Sequence, residues 1–439
     1  MLIRITFLAA LASFGSSMRD DPPNGELYAL LVAGSYGWWN YRHQADVAHA
    51  YHVLVDHGVK KDNIIVMMYD DIANHVKHIS SLYGSSECCR RPGLAASYEL
   101  PNVSTWHEQF EMHMKMTQNS KNTTSEDRIF VYFTDHGGVG LIDFPTSPLT
   151  AKKLNLALKE MHANQKFRQL VFYLEACESG SMFKKILMEN INVYAVTAAN
   201  DAESSYATYC GNELGLPCLG DEFSVNWMED TDYVDPNDET LDLQFKWVRA
   251  LTNNSHVMRY GDLSIAKEPV SWFQGTGKAK RRKNGNNKTP QHKRVSWPSR
   301  DVELMHLRKM KVLSPHLTAI DDEITRIEND RRNIEAVFTS LVNHLARDAR
   351  ERRQLLEGKS DVENLDCHDD VVRAFDTICI DISKASSARL MTTSKYMFQY
   401  DYALKFVYVL NNLCTMFNDS TKIIAAMRTA CSKTRSQFH

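Results

Sequence analysis

The chain has 439 residues, of which 43% are hydrophobic and 24% charged. That length and balance allow two or three packed domains and exclude a low-complexity or fibrous chain. The formal net charge of -3 excludes polyanion binding by the molecule as a whole. The charge is uneven, however: Lys278 to Lys311 carries twelve Lys/Arg against Asp301 and Glu303, a local +10, which leaves -13 for the remainder.

The N-terminus, "MLIRITFLAALASFGSSMRD", places Arg4 before an apolar run from Ile5 to Phe14 and small residues at Gly15-Ser16-Ser17. This is the form of a secretory signal peptide over 1–17, too short to span a membrane. A short propeptide over 18–26 is expected to follow. No later segment approaches transmembrane length, so the chain reads as soluble within the secretory or endolysosomal route, or outside the cell. Sequons at Asn102, Asn122, Asn253, Asn287 and Asn418 are glycosylation candidates on that route.

Residues 27–277 alternate strand and helix patterns. "ELYALLVAG" predicts a strand, His43 to His57 a helix, "NIIVMMY" a strand and Thr105 to Met116 a helix. "RIFVYF" predicts a strand, Ala151 to Ala163 a helix, and "QLVFYLEA" and "INVYAVTAA" two further strands. Runs of Val, Ile, Phe and Tyr without polar alternation suit strands buried on both faces. The order predicts an α/β domain, a mostly parallel sheet flanked by helices.

Residues 278–312 are basic, rich in Asn and Gly, and punctuated by Pro290 and Pro298. They read as an exposed linker open to processing. Nucleic-acid binding by this run does not fit the secretory route. From 313 to 439 the pattern turns helical, with Ile320, Ile324, Ile327, Ile334, Val337, Phe338, Leu341, Val342 and Leu345 forming one apolar stripe. An all-α C-terminal domain is predicted.

Nine cysteines in an oxidising compartment point to disulfides. Cys210 and Cys218 bracket a Gly/Pro loop suited to a local bridge. Cys367, Cys379, Cys414 and Cys431 cluster late in the chain and allow three pairings. Cys88 and Cys89 are adjacent and unassigned. Cys177 is the odd one.

In an open parallel sheet, ligands bind beyond the carboxyl ends of the strands. The strand tips here carry "SYGWWNYRHQAD", "TDHGG", "CESGSM" and "NDAESSYA". Among them His136 and Cys177 form a nucleophile and base pair. An imidazole takes the thiol proton to give a thiolate, then returns a proton to a leaving amine. Gly137 leaves a backbone N–H free to meet a developing oxyanion.

These residues carry a resemblance. "LVAGSYGWWNYRHQADVAHAY", "VMMYDDIA", "YFTDHGGVG", "FYLEACESGSM", "NVYAVTAAN", "SSYA" and "LGDEFSVNWMED" resemble the legumain family of asparaginyl endopeptidases, in the family's order. The helical C-terminal region is similar to the legumain prodomain. The resemblance implies a caspase-like fold and a cysteine endopeptidase, with Cys177 as nucleophile, His136 as base and acid, Asn40 supporting His136, and Gly137 in the oxyanion hole. It implies that Asp135 can close to a succinimide, and that Cys367 pairs with Cys414 and Cys379 with Cys431. An asparagine side chain offers one carbonyl acceptor and one NH₂ donor. Arg42 suits the first, Asp221 and Glu175 the second, with His43, Ser204 and Ser205 beside them by family position.

The chain departs from the family in places. Tyr36 stands where Asn is usual, Gly138-Val139 replaces a Ser-Thr pair, and "NHVKHISSLYGSSECCRRPGLAASYEL" replaces a Pro/Gly-rich loop. "KMKVLSPHL" lacks the processing Asn that animal relatives often carry before the prodomain helices. Self-processing would then use Asn284, Asn286 or Asn287, or an acidic site at Asp321 or Asp322.

The expectation is a zymogen blocked by its own helical domain and opened by acid. Asn-containing substrates and cystatin-type inhibitors are the expected partners, with no cofactor and no metal. The expected location is lysosomal, endosomal, secreted or in a gut lumen. A peptide ligase with the same acyl-enzyme is the alternative reading. An inactive binding relative is opposed by the intact Cys177, His136 and Asn40, and a lipid-anchor transamidase by the lack of a C-terminal span.

Overall fold

The computed structural model describes residues 24–69, 71–72, 123–144, 147–277, 294–380, 382 and 400–432. The segment 1–17, the expected helix Thr105–Met116, Cys88, Cys89, Asn102, Asn122, Asn284, Asn286 and Asn287 lie outside the described residues.

In chain order the first domain contains β1 (Leu27–Ala33), α1 (Tyr41–Asp56), β2 (Ile64–Met67), β3 (Arg128–Thr134), β4 (Gly137–Gly138), β5 (Leu141–Ile142) and β6 (Leu149–Thr150). It continues with α2 (Ala151–Ala163), β7 (Gln169–Glu175), β8 (Val193–Thr197), β9 (Tyr206–Thr208), β10 (Gly220–Asp221), α3 (Glu222–Tyr233), α4 (Leu241–Leu251) and β11 (Met258–Gly261). The main sheet has the order β11-β8-β7-β3-β1-β2. All its pairings are parallel except β11 on β8. The sequence "MRYG" of that antiparallel edge has no strand periodicity, which is why only the parallel strands were expected.

Burial on both faces explains the unbroken apolar strands. In β3, Ile129, Val131 and Phe133 enter one core, while Phe130 and Tyr132 enter the other. The second core centres on fully buried Trp227, whose ring meets Phe130, Tyr132 and Tyr173 edge-on at 5.7, 5.2 and 5.7 Å. Strand succession reverses at β1: the chain moves outward to β2, then returns to β3 on the other side. The tips of β1 and β3 therefore flank a topological switch point, where such sheets open a crevice.

Residues 294–312 correct the exposed-linker expectation. β12 (Trp297–Pro298) pairs antiparallel with β9, and α5 (Val302–Leu313) follows. Trp297, Ser299 and Arg300 are buried. Pro298 fits because β12 lies at the edge of its sheet, where a missing N–H costs nothing.

The helical domain contains α6 (Thr318–Leu345), α7 (Ala349–Glu357), α8 (Leu365–Ile378), α9 (Val407–Phe417) and α10 (Ser420–Ala430). Its core includes the expected stripe from Ile334 to Leu345, with Phe338 stacked on Phe375 at 4.6 Å. Disulfides join Cys367 to Cys414 and Cys379 to Cys431, and Cys210 to Cys218 in the first domain. Leu141 of β5 belongs to the helical core, so the two domains share apolar contact.

Polar contacts seat the helical domain. His368 Nε2 donates to the Val139 carbonyl at 2.9 Å, and Thr150 Oγ1 donates to Asp369 at 2.5 Å. Lys152 pairs with Asp366, and Lys184 and Lys185 with Asp361. Gly140 has φ +74°, and a Cβ there would lie 2.7 Å from the His368 ring, so this turn admits glycine alone.

Candidate active site

The β3/β7 register sets two tips side by side. Thr134 is opposite Glu175, and the Asp135 N–H donates to the Glu175 carbonyl at 3.0 Å. His136 and Cys177 each lie two residues beyond that last pair. A Cβ on Gly137 would sit 2.5 Å from the Cys177 carbonyl oxygen, so the glycine is what lets the two tips close.

Asn40 lies just before α1 and orients the imidazole. Its Nδ2 donates to the Tyr36 carbonyl at 3.0 Å, which turns Oδ1 toward His136 Nε2 at 2.9 Å. Because Oδ1 only accepts, the Nε2 atom carries the proton and Nδ1 keeps its lone pair. Nδ1 is buried with no hydrogen-bond partner. The Cys177 Sγ lies 3.7 Å from Ser205 Oγ and accepts from the Ser205 N–H at 3.4 Å. Burial pushes the Cys177 thiol up, against the pull of the Arg300 charge. Burial lowers His136 well below its ordinary value, and the Arg42 and Arg300 charges lower it further. Both shifts favour the neutral thiol and the neutral imidazole in this closed state.

Asp135 is buried, and its Oδ1 accepts the His136 N–H at 2.6 Å. Burial and the neighbouring Asp143 push its carboxyl well up.

A polar pocket adjoins the pair. Arg42 is fully buried on α1; its Nε donates to Asp221 at 3.0 Å and an NH₂ group donates to Ser299 Oγ at 2.7 Å. His43 Nδ1 lies 2.5 Å from Ser35 Oγ, and its Nε2 lies 3.5 Å from Asp221. Glu175 Oε2 accepts from Ser224 N–H and Oγ at 3.1 and 2.9 Å. Glu175 Oε1, Asp221 Oδ2 and His43 Nε2 are buried without a hydrogen bond. Asp46, four residues after Arg42 and so on the same helix face, accepts the Asp221 N–H at 3.1 Å. Burial raises Asp46 and Glu175 well above ordinary carboxylates, and the Asp221 charge raises both further. Sequence reasoning missed Asp46, although the Arg42 to Asp46 spacing signals it.

Three other residues were also missed because they belong to the covering segments. Arg300 is buried and donates to both Glu178 oxygens at 3.2 and 2.5 Å, to Ser204 Oγ at 3.3 Å and to the Gly137 carbonyl. Ser299 meets Arg42. Asp401, from the helical side, lies 3.3 Å from His136 Nε2 and competes with Asn40 for its proton. Ser204 thus faces the cover, while Ser205 faces Cys177. Asn253 and Asn418 are exposed. Asp321, in the first turn of α6, and Asp322 after it are exposed. Among the described residues no group of three His, Cys, Asp or Glu could hold a metal, and no helix is long and apolar enough to cross a membrane.

Comparison with known proteins shows the family. The Peptidase C13 family model matches residues 27–276, and the legumain prodomain model matches 319–431. The chain belongs to the peptidase C13 family. It is 36% identical to human legumain over 427 residues, covering 93% of this chain and 94% of that protein. It is 36% identical to a hemoglobinase of Schistosoma mansoni, over 82% of this chain and 84% of that one. A vacuolar-processing enzyme of Vicia sativa is 34% identical, over 84% and 82%. As a C13 member the chain is a cysteine endopeptidase, an α/β domain followed by a helical prodomain that acts as an intramolecular inhibitor.

Proposed function

We propose that this C13 peptidase cleaves peptide bonds after asparagine, with Cys177 and His136 as its catalytic pair. The observation that carries the specificity is the pocket's mixed polarity. Arg42 is a fixed donor, whereas Glu175 Oε1 and Asp221 Oδ2 are buried acceptor atoms that receive no hydrogen bond, with His43 Nε2 3.5 Å from Asp221 Oδ2. A side chain with one acceptor and one donor satisfies both sides; an apolar one leaves buried polar groups unpaired and is rejected. Aspartate fits once protonated, which makes cleavage after Asp a lower-pH activity.

In the opened site the Cys177 thiol gives its proton to His136 Nδ1, and the thiolate adds to the substrate carbonyl. The Gly137 N–H faces the oxyanion. The imidazolium then protonates the departing amine, leaving a thioester. Water, deprotonated by His136, adds to the thioester and releases the acid and the thiol. Asn40 acts throughout as a positioning residue. The His136 backbone nitrogen can attack Cγ of the protonated Asp135 carboxyl and expel water, closing a succinimide that would appear as one water missing from the intact mass.

The closed state is proposed as the zymogen. Burial pushes His368 down to about 4. A base with a lowered pKa binds its proton better when open, so falling pH favours opening between 6.5 and about 4. His136 has the same sign. The carboxylate of Asp361, lowered by its hydrogen bonds to Lys184 and Lys185, keeps its contribution above its ordinary 3.8 and loses it only below that. At the contact with the helical domain the acids Asp361 and Asp366 lie on the helical side and the lysines on the peptidase side, whereas Arg300 of the covering segment pairs with Glu178 of the peptidase side. Routing through the secretory and endolysosomal system, glycans at Asn253 and Asn418, and cystatin-type inhibitors complete the proposal, as do processing in the linker and domain limits at 17, 26, 277 and 312.

The test is incubation of the full chain at acidic pH with peptides carrying Asn, Gln or Asp at one position. Mass spectrometry is expected to find cuts after Asn first, after Asp at lower pH, and none with Cys177→Ala. Equal cutting after Gln would refute the pocket reading.

A further inference from the structure

The covering segment runs through the site along a track that an extended substrate can follow. Trp297 and Pro298 pair antiparallel with Ala207 and Tyr206 of β9. The Ser299 N–H donates to the Ser205 carbonyl at 3.0 Å, and the Ser299 hydroxyl reaches Arg42. Ser299 therefore takes the place proposed for the asparagine. The next residue, Arg300, passes the nucleophile and forks onto Glu178, the residue directly after Cys177.

Glu178 is built to hold that position. It adopts φ 49°, a left-handed conformation uncommon outside glycine, and is only 8% exposed. The cations that act on it are Arg300 and Lys359, and both belong to the covering segments. The nearby Glu203 carboxylate is engaged by the Asn200 N–H and by His256. When the cover leaves, Glu178 loses both cations and its carboxylate is open to another.

We infer that Glu178 is a specificity-determining residue on the leaving-group side, where it favours a substrate with arginine or lysine immediately after the cleaved asparagine. The inference rests on the proposed asparagine specificity, because Ser299 marks the pocket. A peptide that follows β9 with its asparagine on Arg42 presents its next side chain to Glu178, as Arg300 does. The planar guanidinium matches the carboxylate fork, so arginine is preferred to lysine. The segment itself is spared because Ser299 is not asparagine.

The test uses full-length protein activated by acid or by added trypsin, and peptides that differ only in the residue after Asn: Arg, Gln or Glu. The kcat/KM order is expected to be Arg, then Gln, then Glu, with Arg over Gln by about tenfold. Glu178→Gln is expected to bring the Arg/Gln ratio toward one. In parallel, synthetic peptides spanning Val295–Asp301, with Arg or Gln at position 300, are compared as inhibitors of the wild type. The Arg form is expected to bind about tenfold more tightly. This arm needs no variant to fold. Asn cleavage with an Arg/Gln ratio within about twofold of one, or a ratio kept in Glu178→Gln, overturns this inference alone. No cleavage of any Asn peptide overturns the asparagine reading and this inference with it.

Discussion

His368→Gln tests how acid opens the molecule. Glutamine keeps a neutral N–H donor for the Val139 carbonyl but cannot be protonated. In the wild type the closed-state value is about 4 against an ordinary 6.5. Between those limits the closed state loses stability as pH falls, because the open state binds the proton better. At pH 4.5 the difference amounts to about 2.5 kcal/mol, or between one and two powers of ten in the opening equilibrium. The variant lacks that contribution and is expected to stay closed to a lower pH. The assay follows peptide hydrolysis against pH in a single batch, with size-exclusion of the same samples to report domain separation. Equal midpoints for wild type and variant would refute the role given to His368, and an earlier opening would show that glutamine breaks the contact.

Other perturbations have distinct signatures. Arg300→Gln leaves Glu178 buried without its partner, so the closed state is expected to weaken by about 3 kcal/mol and measurable peptidase activity to appear at neutral pH; silence there would contradict the covering role. Trp227→Ala empties a fully buried aromatic site in the second core and is expected to cost about 3–5 kcal/mol, read as a lower denaturation midpoint. Replacing Cys379 and Cys431 together opens a loop of sequence separation 52, worth about 4 kcal/mol in the chain-entropy view. The helical domain is then expected to melt first in a thermal scan, and an unchanged profile would count against its dependence on that bridge.

The parallel strands were legible because both faces of the sheet are buried, which writes continuous apolar runs into the sequence. His136 and Cys177 were legible because each lies two residues beyond the end of such a strand and is followed closely by glycine, at Gly137 and Gly180. Arg42 and Asp221 could be placed in one pocket from the chemistry of the side chain they would hold. The segment from Arg294 to Asp301 was not legible. Its basic, proline-bearing composition matches a solvated linker, and only the long-range pairing of β12 with β9 turns it into a strand. Asp401 was hidden for a similar reason, since a lone acid on a helical segment carries no sign of the histidine it meets across the domain contact. The antiparallel β11 is short and polar, and its partner β8 defines it more than its own residues do.

The central claim is that Cys177, served by His136, attacks the carbonyl of an asparagine seated on Arg42. The most direct measurement treats the acid-activated enzyme with a peptide whose terminal aza-asparagine carries an electrophile, then maps the adduct by proteolysis and mass spectrometry. One adduct on Cys177 is predicted, slowed strongly by His136→Ala and absent with the aza-glutamine analogue. Labelling of another residue, or equal labelling by both analogues, would contradict it.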